Sequence, residues 1–154
     1  MRDPLTLPTG SSPVSVLRAL DPGLAARVRA LDERLPAAPP APRVLSHGDF
    51  TPDQVLVRRA DGAVWITDFE RSRLAPAATD LGSYLAVVDD ATGRALLDGY
   101  ADAGGRVPDE ADLAAGVLGA RLARLAEPLR HADARWRERI GREVEELEGT
   151  CATR

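Results

Sequence analysis

The sequence predicts an α+β chain that is mostly helical, with one small β-hairpin set among the helices. Three observations carry that expectation. Leu and Val recur at helical spacing through much of the chain. Two short apolar runs, Val55-Leu56-Val57 and Val64-Trp65-Ile66, flank a loop containing Asp61-Gly62. Pro and Gly punctuate the rest, leaving stretches of ordinary helix length between them.

Taken in order, residues 1–10 carry Pro4, Pro8 and Gly10 and read as irregular. Ser12-Pro13 opens a short helix to about Leu20, with Ser as cap and the fixed φ of Pro suited to the first position. Asp21-Pro22 repeats that start. Leu24, Val28, Leu31 and Leu35 then share a face, with Arg27, Arg29, Asp32 and Glu33 turned outward. The stretch from Pro36 to Pro42 ends this helix and predicts an extended, semi-rigid connector. Val44-Leu45 begins a strand leading into His47, and the hairpin follows.

Beyond the hairpin, Thr79 or Asp80 caps a helix through Leu81, Tyr84, Leu85 and Val88. A second helix runs from about Thr92 to Ala103 and stops at Gly104-Gly105. Asp109 starts a third, with Leu113, Val117, Leu118, Leu122 and Leu125 on one face until Pro128 breaks or kinks it. Leu129 to Leu147 reads as one strongly charged helix whose Arg and Glu residues pair as i,i+3 and i,i+4 neighbours on a solvated face. The whole reads as a single domain, 1–154. Within it, 1–43 holds the N-terminal helices and Pro-rich connector, 44–70 a loop and hairpin, and 79–150 a helical bundle.

Composition narrows the function. The net charge of −4 argues against nucleic acid as a partner, and no apolar run approaches the roughly 18 residues of a membrane span. Cys151 is the single cysteine, so no internal disulfide forms and a reduced, cytoplasmic setting is the simple inference. All twenty basic residues are arginine, and the chain has neither lysine nor asparagine. No chemistry here uses those two side chains.

The chemistry concentrates in Ser46-His47-Gly48-Asp49-Phe50-Thr51-Pro52-Asp53-Gln54 and in Thr67-Asp68-Phe69-Glu70, with Asp68 19 residues after Asp49. Both aspartates fall at loop–strand junctions, where a scaffold holds functional groups. Two carboxylates brought together repel unless a cation lies between them. Mg²⁺ takes oxygen ligands and usually one or two carboxylates plus substrate phosphates. A hairpin presenting Asp49, Gln54 and Asp68 therefore reads as a divalent-metal platform. The alternative, that both aspartates are turn or cap residues, stays open on the residues alone.

The motif pair resembles the aminoglycoside phosphotransferase and choline kinase-like family, relatives of the protein kinases. The resemblance covers residues 44–90 best. It implies the C-terminal lobe of a protein kinase-like fold. It also implies ATP- or GTP-dependent, Mg²⁺-assisted phosphorylation of a small-molecule hydroxyl. Asp49 matches the catalytic Asp that accepts or orients the hydroxyl proton, and Asp68 the Asp that ligates Mg²⁺. Gln54 stands where the family has a metal-binding Asn, on a stem one methylene longer. His47 braces the catalytic loop, Glu70 either assists the metal or faces solvent, and Asp80 caps a helix and ties it to the loop. The family's N-terminal lobe supplies a lysine for the nucleotide phosphates, and no lysine exists here. The resemblance thus implies a truncated family member that is weakly active or inactive alone, or else a non-catalytic binding module or one chain of a split kinase whose second chain or lobe covers the nucleotide.

Overall fold

The structure, a computed structural model, describes residues 13–35 and 42–152. Ser12 and most of the Pro-rich connector lie outside the described residues. By its contacts the chain divides into two compact units. One joins the described residues up to Leu35 with those from Arg121 onward, and the other lies within Pro36–Ala120.

The first unit is helical. Helix α1 spans Pro13–Leu20 and α2 spans Pro22–Asp32, as the two Pro start signals predict. Asp21 caps α2 by accepting the Leu24 N–H at 3.0 Å. Leu24, Val28 and Leu31 are buried as their spacing requires, whereas Leu35 falls beyond the helix end. The single charged helix expected near the C-terminus is two: α6, Glu127–Arg130, and α7, Trp136–Ala152. The break is a turn at Ala132, whose φ of +51° is left-handed. The Ala132 and Asp133 N–H groups reach back to the Leu129 and Pro128 carbonyls, closing the end of α6 without the glycine that usually marks such an ending. Asp133 then accepts the Arg135 N–H at 2.8 Å and restarts the chain into α7.

Ile140, Val144 and Leu147 line the buried face of α7, and α2 packs on it. The charged face is not only a set of helical neighbours. Arg142 does pair with Glu138 four residues away at 2.9 Å. However, Arg27 bridges to Glu148 at 2.7 Å, Arg121 bridges to Glu143 and Glu146, and Arg137 bridges to Asp21, so ion pairs also lace separate helices together.

The second unit carries two small antiparallel sheets and the helices around them. Strands β2, Val55–Val57, and β3, Val64–Ile66, form the expected hairpin, with Val55 opposite Ile66 and Val57 opposite Val64. Arg58 pairs with Asp61 in the loop and lies over the Trp65 ring at 4.9 Å. Strand β1, Arg43–Ser46, pairs with a strand not read from the sequence, β4, Arg73–Pro76.

Helix α3, Ala78–Leu85, starts two residues before Asp80. It crosses α5, Glu110–Arg124, where Gly82 meets Gly116. A Cβ on Gly116 would sit 2.1 Å from the Ala78 carbonyl oxygen, so the two helices approach this closely only without side chains there. Helix α4, Asp90–Asp102, starts two residues before the expected Thr92 and is capped by Asp89, which accepts the Thr92 N–H at 2.8 Å.

Candidate functional site

The loop bearing Asp49 leaves β1 at Ser46, which is 1% exposed. Gly48 then turns with φ +87°, and a Cβ on it would lie 2.3 Å from the Arg71 carbonyl oxygen. Only glycine lets the Asp49 loop run this close to the chain that follows Asp68.

Asp80 fixes the same loop from α3. Its carboxylate accepts the His47 N–H at 2.7 Å and the Gly48 N–H at 2.9 Å. The sequence expectation of a helix cap is corrected here. Asp80 lies inside the first turn of α3, Ala77 takes the cap position, and the Asp80 side chain serves the loop instead. A carboxylate accepting two backbone amides is a strong, geometrically defined tie.

His47 joins the two motifs. Its Nε2 lies 2.6 Å from the Thr67 carbonyl oxygen, which only accepts, so Nε2 carries the proton and donates. The ring is 6% exposed and packs against Phe69, with centroids 4.8 Å apart, and against Phe50 at 5.9 Å. The buried His47 ring thus ties the Asp49 loop to the chain just before Asp68.

On the other side, Thr67 donates its N–H to the Gln54 carbonyl at 3.0 Å, carrying the hairpin pairing one step past Val55 and Ile66. Thr67 Oγ1 also lies 3.4 Å from Gln54 Oε1. Gln54 and Asp68 thus leave the same end of the hairpin. Asp68 adopts φ +64°, a left-handed conformation that aspartate tolerates better than most residues, and it is exposed. Glu70 is exposed in the short 3-10 turn that follows, Phe69–Arg71.

Arg71 is the site residue that sequence reading misses. Its Nη1 donates to Asp49 Oδ2 at 2.8 Å, and both side chains are partly exposed. Its signal was its place directly after Glu70, one residue past the end of the motif.

A cavity of about 630 Å³ opens beside the loop, and its lining includes His47, Phe50, Phe69, Asp80, Leu96 and Tyr100. That volume suits a small ligand, and its walls are largely apolar. Among the described residues no group of three His, Cys, Asp or Glu side chains is arranged to hold a metal ion. The oxygen donors at the hairpin end include the Asp68 carboxylate and the Gln54 amide. This donor set suits a hard cation whose remaining ligands come from phosphate and water. No helix among the described residues is long and apolar enough to cross a membrane.

No curated protein and no solved structure matches the chain. The family model that does match is described as the phosphotransferase enzyme family (APH), and it aligns with residues 14–116. The match reaches well beyond the 44–90 stretch of the motif resemblance and takes in α1, α2 and the start of α5. The chain belongs to the phosphotransferase enzyme family.

Proposed function

We propose that this chain carries the hydroxyl-activating and metal-holding half of an ATP- or GTP-dependent phosphotransferase acting on a small-molecule hydroxyl. The observation that carries the reading is the joint between the two motifs. The His47 ring holds the Thr67 carbonyl while Asp80 holds the His47 and Gly48 amides. Phosphoryl transfer depends mainly on positioning and charge neutralisation, and such a joint fixes one acidic loop against the other.

In this reading Asp49 accepts or orients the proton of the attacking hydroxyl. Asp68 and Gln54 would hold Mg²⁺, with Glu70 as a further carboxylate on the next turn, and the ion would supply charge neutralisation for phosphoryl transfer. His47 and Asp80 position the loop. Arg71 holds the Asp49 carboxylate between turnovers.

The same reading makes the chain the C-terminal lobe of a kinase-like enzyme working in a reduced cytoplasm. Without lysine, the cationic contacts to the phosphates fall to arginine, to Mg²⁺, or to a second chain or lobe that covers the nucleotide. The exposed Val44, Leu45, Phe69 and Leu74 beside the site favour such a cover. They equally favour the rival reading, a lobe retained for binding alone.

Transfer of labelled γ-phosphate from ATP or GTP to a panel of aminoglycosides and choline separates the two. Mg²⁺-dependent transfer that falls at least about 100-fold in Asp49→Asn supports the enzyme. Transfer that persists unchanged in Asp49→Asn and Asp68→Ala contradicts the site assignment.

A further inference from the structure

We infer that Asp53 is a positioning residue that sets which face of the Gln54 amide is offered to a divalent cation. The inference rests on the phosphotransfer reading and deepens it.

A glutamine side chain binds a cation only through Oε1. A half-turn of the amide about its last bond puts Nε2, a donor with no lone pair to give, in the same place. A Gln at a metal position therefore needs something to hold its nitrogen. Asp53 supplies it: Gln54 Nε2 donates to Asp53 Oδ2 at 3.3 Å. Asp53 is in turn held through its other oxygen, Oδ1, which accepts from Thr51 Oγ1. Thr51 is itself buried, so this anchor does not swing with solvent.

With Nε2 on Asp53, Oε1 is left facing Thr67, whose hydroxyl, one residue before Asp68, lies 3.3 Å from the Gln54 backbone carbonyl oxygen and 3.4 Å from Oε1. A carbonyl oxygen has two lone pairs, so Oε1 shares the single Thr67 hydroxyl proton with the backbone carbonyl and keeps a lone pair for a cation. Thr51, Asp53, Gln54 and Thr67 form a chain of contacts through the Asp53 carboxylate and the Gln54 amide. Its outcome is an amide oxygen on the Asp68 side of the loop. The longer stem of Gln54 is thereby restrained at its tip rather than free to rotate.

The composition gives this a direct readout. Gln54 is the single glutamine and the chain has no asparagine, so its Nε2 protons are the only side-chain carboxamide pair in the protein. In a ¹H–¹⁵N spectrum of the full chain that pair is expected to be well separated. In Asp53→Ala it is expected to collapse toward the free-amide position while the backbone spectrum keeps its dispersion. Binding of Mn²⁺–ATP, followed by water-proton relaxation, is expected to weaken about tenfold in Asp53→Ala, as loss of a group orienting a metal ligand typically does.

The effect is expected to vanish in Gln54→Glu, whose carboxylate offers oxygen on both sides. Asp53→Ala added to that background should cost less than threefold. An equal loss in both backgrounds would mean that Asp53 contributes only its charge and would overturn the inference, as would an unchanged amide pair in Asp53→Ala. Wild-type protein that binds Mn²⁺–ATP while Asp53→Ala binds it equally well overturns the inference and leaves the phosphotransfer reading standing. Wild-type protein that fails to bind at millimolar Mn²⁺–ATP overturns both.

Discussion

Leu17, Leu31, Ile140 and Val144 are at most 1% exposed in the helical unit, whereas Leu45, Leu74, Val57 and Val64 are 58–77% exposed in the unit that carries the site. The residue types are similar and the chain is the same. The helical unit holds itself together by packing, with ion pairs such as Arg27–Glu148 laid over a closed apolar core. The site unit holds its functional loops by polar ties instead: Asp80 on two backbone amides, and His47 on the Thr67 carbonyl. Its apolar strand residues stay on the surface, where burial against a ligand or partner has the most stability to add.

That contrast sets the expected size of substitutions. The largest effect belongs to the closed core. Ile140→Ala is expected to lower unfolding free energy by about 3 kcal/mol in urea titration, from lost transfer energy and the cavity left behind. Next comes Asp80→Ala, which strips two backbone donors of a charged acceptor. A loss of about 2 kcal/mol is expected, with slower hydrogen exchange lost first at the His47 and Gly48 amides. Leu45→Ala, at 77% exposure, is expected to stay within about 0.5 kcal/mol of wild type. A Leu45→Ala cost equal to that of Ile140→Ala would break the contrast.

Acid should act on the packed unit through its ties. The cap bond from the Leu24 N–H, with help from Arg137, holds Asp21 below its ordinary 3.8, and Arg27 holds Glu148 below its ordinary 4.5. Each folded value is depressed, so each contributes stability that is present above the unfolded value and lost as pH falls through the lower folded one. Thermal scans between pH 6 and 2 are expected to show melting falling in that window, with the fall blunted in Glu148→Gln.

The sequence made local features legible and left non-local ones hidden. The hairpin was readable because the Asp61-Gly62 turn and the apolar runs beside it carry their own instructions, and the structure pairs them as expected. Strand β4 was not readable. Arg73-Leu74-Ala75-Pro76 has weak strand character and pairs with β1 only because the chain returns across some thirty residues. The break between α6 and α7 was hidden for a similar reason. Ala132 takes a left-handed turn that sequence patterns assign to glycine. At the site, the spacing of Asp49, Gln54 and Asp68 was visible in the letters. The role of Asp80 as a tie came from resemblance, and the contacts of Arg71 and Asp53 follow only from three-dimensional folding.

The central claim is that the hairpin end and its neighbouring loop form a cation-dependent nucleotide site. Calorimetric titration of the chain with ATP, with and without Mg²⁺, tests it most directly. Binding that requires Mg²⁺ and disappears in Asp68→Ala is the expected result. No detectable heat at millimolar Mg²⁺–ATP, or binding that Asp68→Ala leaves intact, would contradict it.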